Sequence, residues 1–231
     1  QSMDTCWCPM ERKKFNCYER RINCNLRGRF TLLKILIAGD SFAAEWPGNN
    51  GWVKLLAGKE QKIKEHDVTN IAQAGVGEYK ILDQLRGQTL DDYDAIIVSH
   101  TSLSRVHTRN HPLHNEGLHK DCDLIWSDIE KRNTFLNPSL KAAKGYFEHH
   151  YDDRYYQTIY SLLRKEINQL LQGKVYISMS HIEVARMFIY EDHHLDFSEW
   201  WSKNKGTENH YSKVGNQTVH KIIVDTLNKL C

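Results

Sequence analysis

The stretch Leu32-Leu33-Lys34-Ile35-Leu36-Ile37-Ala38-Gly39-Asp40-Ser41 decides the fold class of this chain of 231 residues. Its apolar run of Leu, Ile and Ala ends in Gly-Asp-Ser, which is typical of a buried strand that leads into a turn. The runs 94–99 and 174–179 have the same character, and 66–72 is a weaker candidate. The sequence therefore predicts a set of short, buried strands.

Helical patterns of apolar residues alternate with these strands, at about 51–62, 78–88, 152–172 and 212–230. Strand–helix alternation with short connections predicts an α/β protein of three layers, α/β/α, with a mainly parallel sheet. In such a sheet, ligands bind beyond the carboxyl ends of the strands. The segments that follow strands are therefore the candidate site: 40–41, 73–77 and 100–105.

The composition fits one soluble domain. Lys and Arg number 31 against 29 Asp and Glu, and 40% of the residues are hydrophobic. The longest nearly apolar stretch, 30–39, is far shorter than the roughly 20 residues of a membrane-spanning helix. A net charge near zero argues against a nucleic-acid footprint. We expect no membrane and no nucleic acid as partner, and the oligomeric state is left open.

Two regions fall outside the strand–helix pattern. Residues 1–30 are rich in Cys and show no clear apolar period, which predicts an N-terminal extension to a main domain over 31–231. The segment around 104–150 carries many His, Asn and Asp residues. It predicts a long insertion that could cover the site as a lid.

Cys and His are unusually placed. Four of the six Cys precede residue 25, in spacings that match no common zinc pattern, and no signal-peptide pattern is visible. We therefore expect free thiols in a reducing cytoplasm, with a structural zinc knot as the alternative for Cys6, Cys8, Cys17 and Cys24. In the insertion, His107 and His111 stand four apart, but Pro112 interrupts a helix there. The expectation is therefore no metal and no cofactor.

A serine nucleophile is the chemistry that the strand ends suggest. Ser41 would sit where a strand turns into a helix, among free backbone N–H groups. A serine hydroxyl is a weak nucleophile at neutral pH and needs a His to take its proton and an acid to orient that His. The loop before the last helix, Glu208-Asn209-His210, supplies both. An acid two positions before a His in an extended loop has its side chain on the same side as the imidazole.

Three blocks in this order resemble the SGNH/GDSL hydrolase superfamily over about residues 32–230. They are Gly39-Asp40-Ser41-Phe42, the Gly block 73–77, and Glu208-x-His210 before the final helix. The resemblance implies a three-layer α/β/α fold with a flavodoxin-like sheet. It also implies a serine enzyme that cleaves or transfers the acyl group of a small-molecule or glycan ester.

Carried over by position, the resemblance makes Ser41 the nucleophile and His210 the general base. Its usual acid, three residues before the His, would fall on Thr207, and Glu208 takes that place in our interpretation. If Glu208 points away, a Ser–His dyad is left. The oxyanion hole would use the N–H of Ser41 with that of Gly75, or of Gly77 as second choice.

The third block, 99–105, departs from the family because it lacks the usual Asn. Thr101 or Ser102 could donate a hydroxyl to the oxyanion instead, and Arg105 could bind an anionic or sugar substrate through its fork of donors. A Trp near the last loop could stack on a sugar ring or acyl chain. Further candidate substrate contacts are Asp40, Gly77 and Trp201.

These residues predict a serine-dependent esterase or carbohydrate deacetylase that acts through an acyl-enzyme. An O-acetyltransferase that modifies a polysaccharide would use the same residues and is one alternative. A non-catalytic carbohydrate-binding relative is the other, suggested by the missing Asn and the displaced acid.

Overall fold

The computed structural model describes residues 32–46, 51–58, 66–182, 193–208 and 210–231, with only the backbone of 207 and 208. Leu32–Leu230 form one compact unit. In chain order the elements are β1 Lys34–Gly39, α1 Trp52–Leu56, β2 Asp67–Asn70, α2 Glu78–Arg86, β3 Ala95–His100, α3 Trp126–Ile129, α4 Pro138–His149, α5 Asp153–Leu170, β4 Tyr176–Ser180, β5 His194–Asp196, α6 Ser198–Lys203, β6 Lys205–Glu208 and α7 Lys213–Leu230.

Five of the strands form one parallel sheet in the order β2-β1-β3-β4-β5. This is the flavodoxin-like order, so the predicted sheet is confirmed. The strand order reverses between β1 and β3, and a ligand crevice is expected beyond the carboxyl ends of these two strands. Gly39, the last residue of β1, pairs with Ser99 of β3. The turn that carries Ser41 therefore begins at the crevice.

Each face of the sheet has its own apolar core, because successive side chains of a strand point to opposite faces. Ile97 of β3 packs with residues of α1 and α7, whereas Ile96 and Val98 pack with residues of α2 and α5. Burial of each such Ile or Leu side chain contributes roughly 1.5–3 kcal/mol. The three predicted layers are therefore present.

The predicted helices agree closely with α2, α5 and α7, each within two residues at either end. Helix α1 covers the start of the predicted 51–62, and 59–65 lie outside the described residues. Strand β5 was not predicted, since its three residues are half-buried and two of them are polar. Every described helix is too short or too polar to cross a lipid bilayer.

The insertion predicted around 104–150 has a small core of its own, built on Ile129 and Leu140. It is pinned by an antiparallel bridge between Val106 and Leu124 and contains α3 and α4. The sequence held a start signal for α4 that the prediction missed. The side chain of Asn137 accepts the Leu140 N–H at 2.9 Å, and Pro138 occupies the first helical position. The predicted extension 1–30, with its four Cys, lies outside the described residues.

Candidate active site

The turn after β1 is held by backbone contacts that only glycine permits at position 39. Gly39 has φ 149°, and a Cβ atom there would lie 2.5 Å from the carbonyl oxygen of Ser99. The Asp40 N–H donates to that same oxygen at 3.2 Å, and Asp40 Oδ1 accepts the Phe42 N–H at 3.0 Å. Ser41 is therefore fixed at the carboxyl end of β1, with 6% of its surface exposed.

Ser41 and His210, which are 169 positions apart in the sequence, meet at this edge of the sheet. The distance from Ser41 Oγ to His210 Nε2 is 2.9 Å. If Ser41 donates this hydrogen bond, Nε2 is the unprotonated ring nitrogen and Nδ1 carries the proton. This is the arrangement in which a histidine can accept the proton of a nucleophilic serine.

His210 has a left-handed backbone, with φ 61°, which is uncommon for a residue other than glycine. Its carbonyl oxygen accepts hydrogen bonds from Trp201 Nε1 at 3.0 Å and from the Gly206 N–H at 3.1 Å. These two bonds hold the conformation. Such local strain concentrates at functional sites.

The environment of His210 keeps its imidazole neutral. Burial is the main cause that lowers the pKa of His210, followed by the positive charge of Arg105 and by His119. The ring packs against Phe42 and Trp46, with centroids 4.6 and 5.4 Å away. A neutral imidazole at physiological pH is the form that a general base requires.

Glu208 is the last residue of β6, and its side chain lies outside the described part of the structure, as does that of Thr207. The prediction that Glu208 orients His210 therefore stays a prediction.

Of the two candidate glycines of the oxyanion hole, Gly75 has the freer N–H group. Among the residues that the structure describes, neither Ser41 N–H nor Gly75 N–H has an acceptor. The Gly77 N–H, in contrast, donates to Asp123 Oδ2 at 2.6 Å. Gly75 has φ 79°, and a Cβ atom there would lie 2.6 Å from Cys122 Cβ. The geometry favours Gly75 as the partner of Ser41.

Thr101 and Ser102 of the third block make hydrogen bonds within the protein. Thr101 is fully buried, and its carbonyl oxygen accepts the hydroxyl of Tyr160 at 2.9 Å. The Ser102 hydroxyl pairs with that of Ser104 at 2.8 Å. Their roles as oxyanion donors stay predictions.

Arg105 hydrogen-bonds the second block, 73–77, and its positive charge affects the pKa values of the site. Its Nη1 donates to the Gly75 carbonyl at 2.9 Å, and the Asp123 N–H donates to the same oxygen. Its positive charge lowers the pKa of Asp40 as well as that of His210. Nε of Arg105 is buried and has no partner among the described residues. This N–H group is therefore an unsatisfied donor inside the protein.

Two cavities flank the site. One of about 50 Å³ is lined by Arg105 and by Tyr156 and Tyr160 of α5. The other, of about 400 Å³, is an open groove between 44–45, at the end of the turn that carries Ser41, and the insertion segment 117–121. The groove is within the size range of small-molecule sites.

Sequence reasoning missed a chain of buried hydrogen bonds beneath Ser41, here called the Asp40 cluster: Asp40, Ser99, His181 and Tyr211. Ser99 Oγ lies 3.0 Å from Asp40 Oδ1 and 3.1 Å from His181 Nε2, and His181 Nδ1 lies 2.5 Å from the Tyr211 hydroxyl. Burial keeps the pKa of His181 well below its usual value, so the ring is neutral. Each hydrogen bond of the cluster then has a fixed donor. Tyr211 donates to His181, His181 donates to Ser99, and Ser99 donates to Asp40.

Asp40 therefore stabilises the turn through buried hydrogen bonds, and its side chain is not on the surface of the protein. Only 2% of it is exposed. Burial raises the pKa of Asp40 to about 7, against the hydrogen bonds from Phe42 and Ser99, which lower it. Trp201 also has a supporting place, because its indole N–H bonds His210 and its ring meets the edge of Phe42 at 5.6 Å.

A second buried group, here called the Glu78 cluster, lies on the other face of β3: Glu78, His100, Tyr160 and Arg164. Glu78 Oε1 lies 2.5 Å from His100 Nδ1 and 3.9 Å from Arg164 Nε. Burial raises the pKa of Glu78 to about 7, while the charge of Arg164 opposes the rise. The signal for both clusters was the pair Ser99-His100, two polar residues that continue a buried apolar strand.

Comparison with known proteins gave matches among solved structures only, since no family model and no curated protein matched. A lipase/acylhydrolase from Enterococcus faecalis is 13% identical, with TM-score 0.47, over 84% of this chain and 95% of that chain. A protein described as lipolytic and of the G-D-S-L family, from Desulfitobacterium hafniense, is 14% identical, with TM-score 0.39, over 85% and 98%. A catalytic mutant of an acetylxylan esterase from Geobacillus stearothermophilus is 14% identical, with TM-score 0.43, over 84% and 94%. At such identities these are likenesses of chain arrangement, and the chemistry of this chain rests on its own residues.

Proposed function

We propose that this chain is a serine hydrolase of the SGNH/GDSL type that cleaves a carboxylic ester through an acyl-enzyme. The observation that carries the proposal is the 2.9 Å contact between Ser41 Oγ and His210 Nε2, at the carboxyl edge of a parallel sheet. A neutral, half-buried imidazole beside a serine at a strand end is the pair that nucleophilic acyl transfer requires.

Acylation begins when Ser41 Oγ attacks the carbonyl carbon of the ester and His210 Nε2 takes the hydroxyl proton. The negative charge that forms on the carbonyl oxygen is stabilised by the N–H groups of Ser41 and Gly75. The C–O bond to the alcohol then breaks, and the alcohol leaves with the proton from His210. The acyl group stays on Ser41.

Deacylation repeats these steps with water in place of Ser41. His210 takes a proton from the water as its oxygen attacks the acyl carbon, and the same N–H groups receive the oxyanion. The bond to Ser41 Oγ then breaks, and Oγ recovers its proton from His210. The sum of both stages is an ester plus water giving an alcohol and an acid.

The imidazolium that forms in each stage needs a compensating charge, because Arg105 and burial both disfavour it. Glu208 is the acid that we assign to this role, as in the predicted triad. Without its carboxylate the enzyme would work as a Ser–His dyad.

For the substrate we propose a small-molecule or glycan ester. The open groove of about 400 Å³ beside the nucleophile turn supports a ligand of that size. The positive charge of Arg105, which acts on His210 and Asp40, supports an anionic or sugar-bearing alcohol, since a guanidinium offers several fixed N–H groups.

The test is a comparison of Ser41→Ala with the wild type on short p-nitrophenyl esters and acetylated sugars, together with labelling by a fluorophosphonate. We expect hydrolysis to fall by at least about 10³-fold and labelling to be lost. Ser139→Ala, at an exposed serine of the insertion, is the control and should keep both. Unchanged hydrolysis in Ser41→Ala would refute the proposal. A wild type that folds but takes no label would favour the non-catalytic binding protein.

A further inference from the structure

The insertion brings three potential metal ligands together beside the candidate active site. Ligand atoms of His111, His114 and Cys122 all lie within 4.8 Å of one another. The rings of His111 and His114 are 4.6 Å apart, and the ring of His119 is 5.5 Å from that of His114. Four potential ligand side chains thus lie within a segment of twelve residues that folds back on itself.

Burial distinguishes this cluster from surface histidines. Only 4% of His111 is exposed, and its Nε2 atom is buried with no hydrogen-bond partner among the described residues. Cys122 is 2% exposed and is a free thiol. A buried imidazole nitrogen without a partner is costly and needs an explanation, and a bound ion supplies one.

The donor set is that of a zinc site. Two imidazoles and a thiolate suit a divalent cation of intermediate softness, in tetrahedral geometry with one further ligand. Zinc–ligand bonds of about 2.0–2.3 Å put tetrahedral ligand atoms about 3.5 Å apart, so the side chains need to close by about 1 Å.

We propose that His111, His114 and Cys122 bind one zinc-type divalent cation, with His119 or water as the fourth ligand. Binding releases the thiol proton of Cys122. Coordination through Nε2 of His111 puts the ring proton on Nδ1, so the 3.1 Å contact of Nδ1 with the Leu113 N–H opens.

The contacts of the cluster assign the ion a structural role. Cys122 packs directly against Gly75, because a Cβ atom added to Gly75 would lie 2.6 Å from the Cβ atom of Cys122. The next residue, Asp123, bonds the Gly75 carbonyl and the Gly77 N–H. The bound ion would therefore tie the insertion to the block that supplies the oxyanion donor, and no reaction step passes through it.

Cobalt substitution of the full chain tests the site. After treatment with a chelator, the protein should bind one Co²⁺ with tetrahedral d–d absorption and a thiolate-to-cobalt charge-transfer band. Cys122→Ala should lose that band, and His114→Gln should bind Co²⁺ at least 10-fold more weakly, with Cys122→Ser as a second variant if the Ala form does not fold. His149→Ala, at an exposed histidine of α4, is the matched control and should bind like the wild type.

Absence of Co²⁺ binding at micromolar concentration would overturn the proposal. So would a Cys122→Ala variant that keeps the charge-transfer band, because the thiolate would then lie elsewhere in the chain. Ser41→Ala should bind Co²⁺ like the wild type. Failure of the metal site and failure of the proposed hydrolysis are therefore separate results.

Discussion

The Asp40 cluster and the Glu78 cluster lie back to back on the two faces of β3, where Ser99 and His100 point in opposite directions. Each contains a carboxyl group whose pKa burial raises to about 7. They differ in charge, because the Glu78 cluster includes the fully buried guanidinium of Arg164. No lysine or arginine hydrogen-bonds the described members of the Asp40 cluster.

This difference indicates two separate tasks. The Asp40 cluster runs from the turn that carries Ser41 through β3 to Tyr211, the residue after His210, and so connects the surroundings of Ser41 with those of His210. The hydrogen bonds of the Asp40 cluster can form whether its carboxyl group is neutral or ionised, since its other members are neutral. The Glu78 cluster joins α2, β3 and α5, and there the acid must balance a buried cation. Removal of the negative charge should therefore have opposite effects on the two sides.

The largest effect is expected from Glu78→Gln. The variant replaces the carboxylate that lies 3.9 Å from the buried guanidinium of Arg164 by an amide, which keeps only one acceptor oxygen for the N–H groups of Thr101 and Arg164. The free energy of unfolding should fall by about 3–5 kcal/mol, because this loss outweighs the relief of no longer burying the charge that burial disfavours at Glu78. Urea unfolding at pH 8 measures it. The matched control is Glu166→Gln, which removes an exposed ion pair with Arg86 and should cost less than about 1 kcal/mol. Equal losses in both variants would show that Arg164 does not depend on Glu78.

A smaller loss, with an effect on activity, is expected from Tyr211→Phe. His181 Nδ1 then has no donor in the buried cluster, which should cost about 1–3 kcal/mol. Because Tyr211 follows His210, we expect kcat to fall while KM changes little. Tyr176→Phe removes a comparable hydroxyl bond, to Asn168, at the opposite end of β4 and should leave kcat unchanged. If both variants lower kcat alike, the effect is one of stability and the cluster does not position His210.

The two clusters also differ from the strands in how far the sequence alone could predict them. Strands such as β1 and β3 were predictable because buried parallel strands are continuous apolar runs. The contact between Ser41 and His210 was predictable from the order of their blocks, whereas their catalytic roles stay predictions. His181 was not, because its partner Ser99 lies 82 positions away and only the pairing of β3 with β4 brings them together.

The insertion shows the same limit. Helical spacing paired His107 with His111, but the structure places His107 at Asp123, 3.3 Å away, and His111 beside His114 and Cys122. The cause is the antiparallel bridge between Val106 and Leu124, which folds the segment back on itself. A contact made by such a reversal leaves no period in the sequence, and nothing short of the fold could have predicted it.

The smallest effect, and the one of opposite sign, is expected from Asp40→Asn. The pKa of Asp40 is about 7 in the folded protein against an ordinary 3.8, so between these values the folded state holds more protons than the unfolded state. Stability must then decrease as the pH rises from about 4 to about 7 and level off above. The raised pKa of Asp40 corresponds to a loss of at most about 4 kcal/mol of stability when the carboxyl group is ionised. Asp40→Asn removes this loss, but the weaker hydrogen bonds of a neutral amide offset most of the gain.

The net expectation is that Asp40→Asn is more stable than the wild type by about 1 kcal/mol at pH 8, and that its stability depends less on pH between 4 and 7. Part of the slope should remain, because Glu78 titrates in the same window. Urea unfolding at several pH values measures both quantities, and Ser41→Ala, which leaves both clusters intact, gives the reference slope. If Asp40→Asn instead lowered the free energy of unfolding at pH 8 as much as Glu78→Gln, the turn that carries Ser41 would need a negative charge. Both clusters would then depend on a carboxylate charge, and the difference that we infer between them would be wrong.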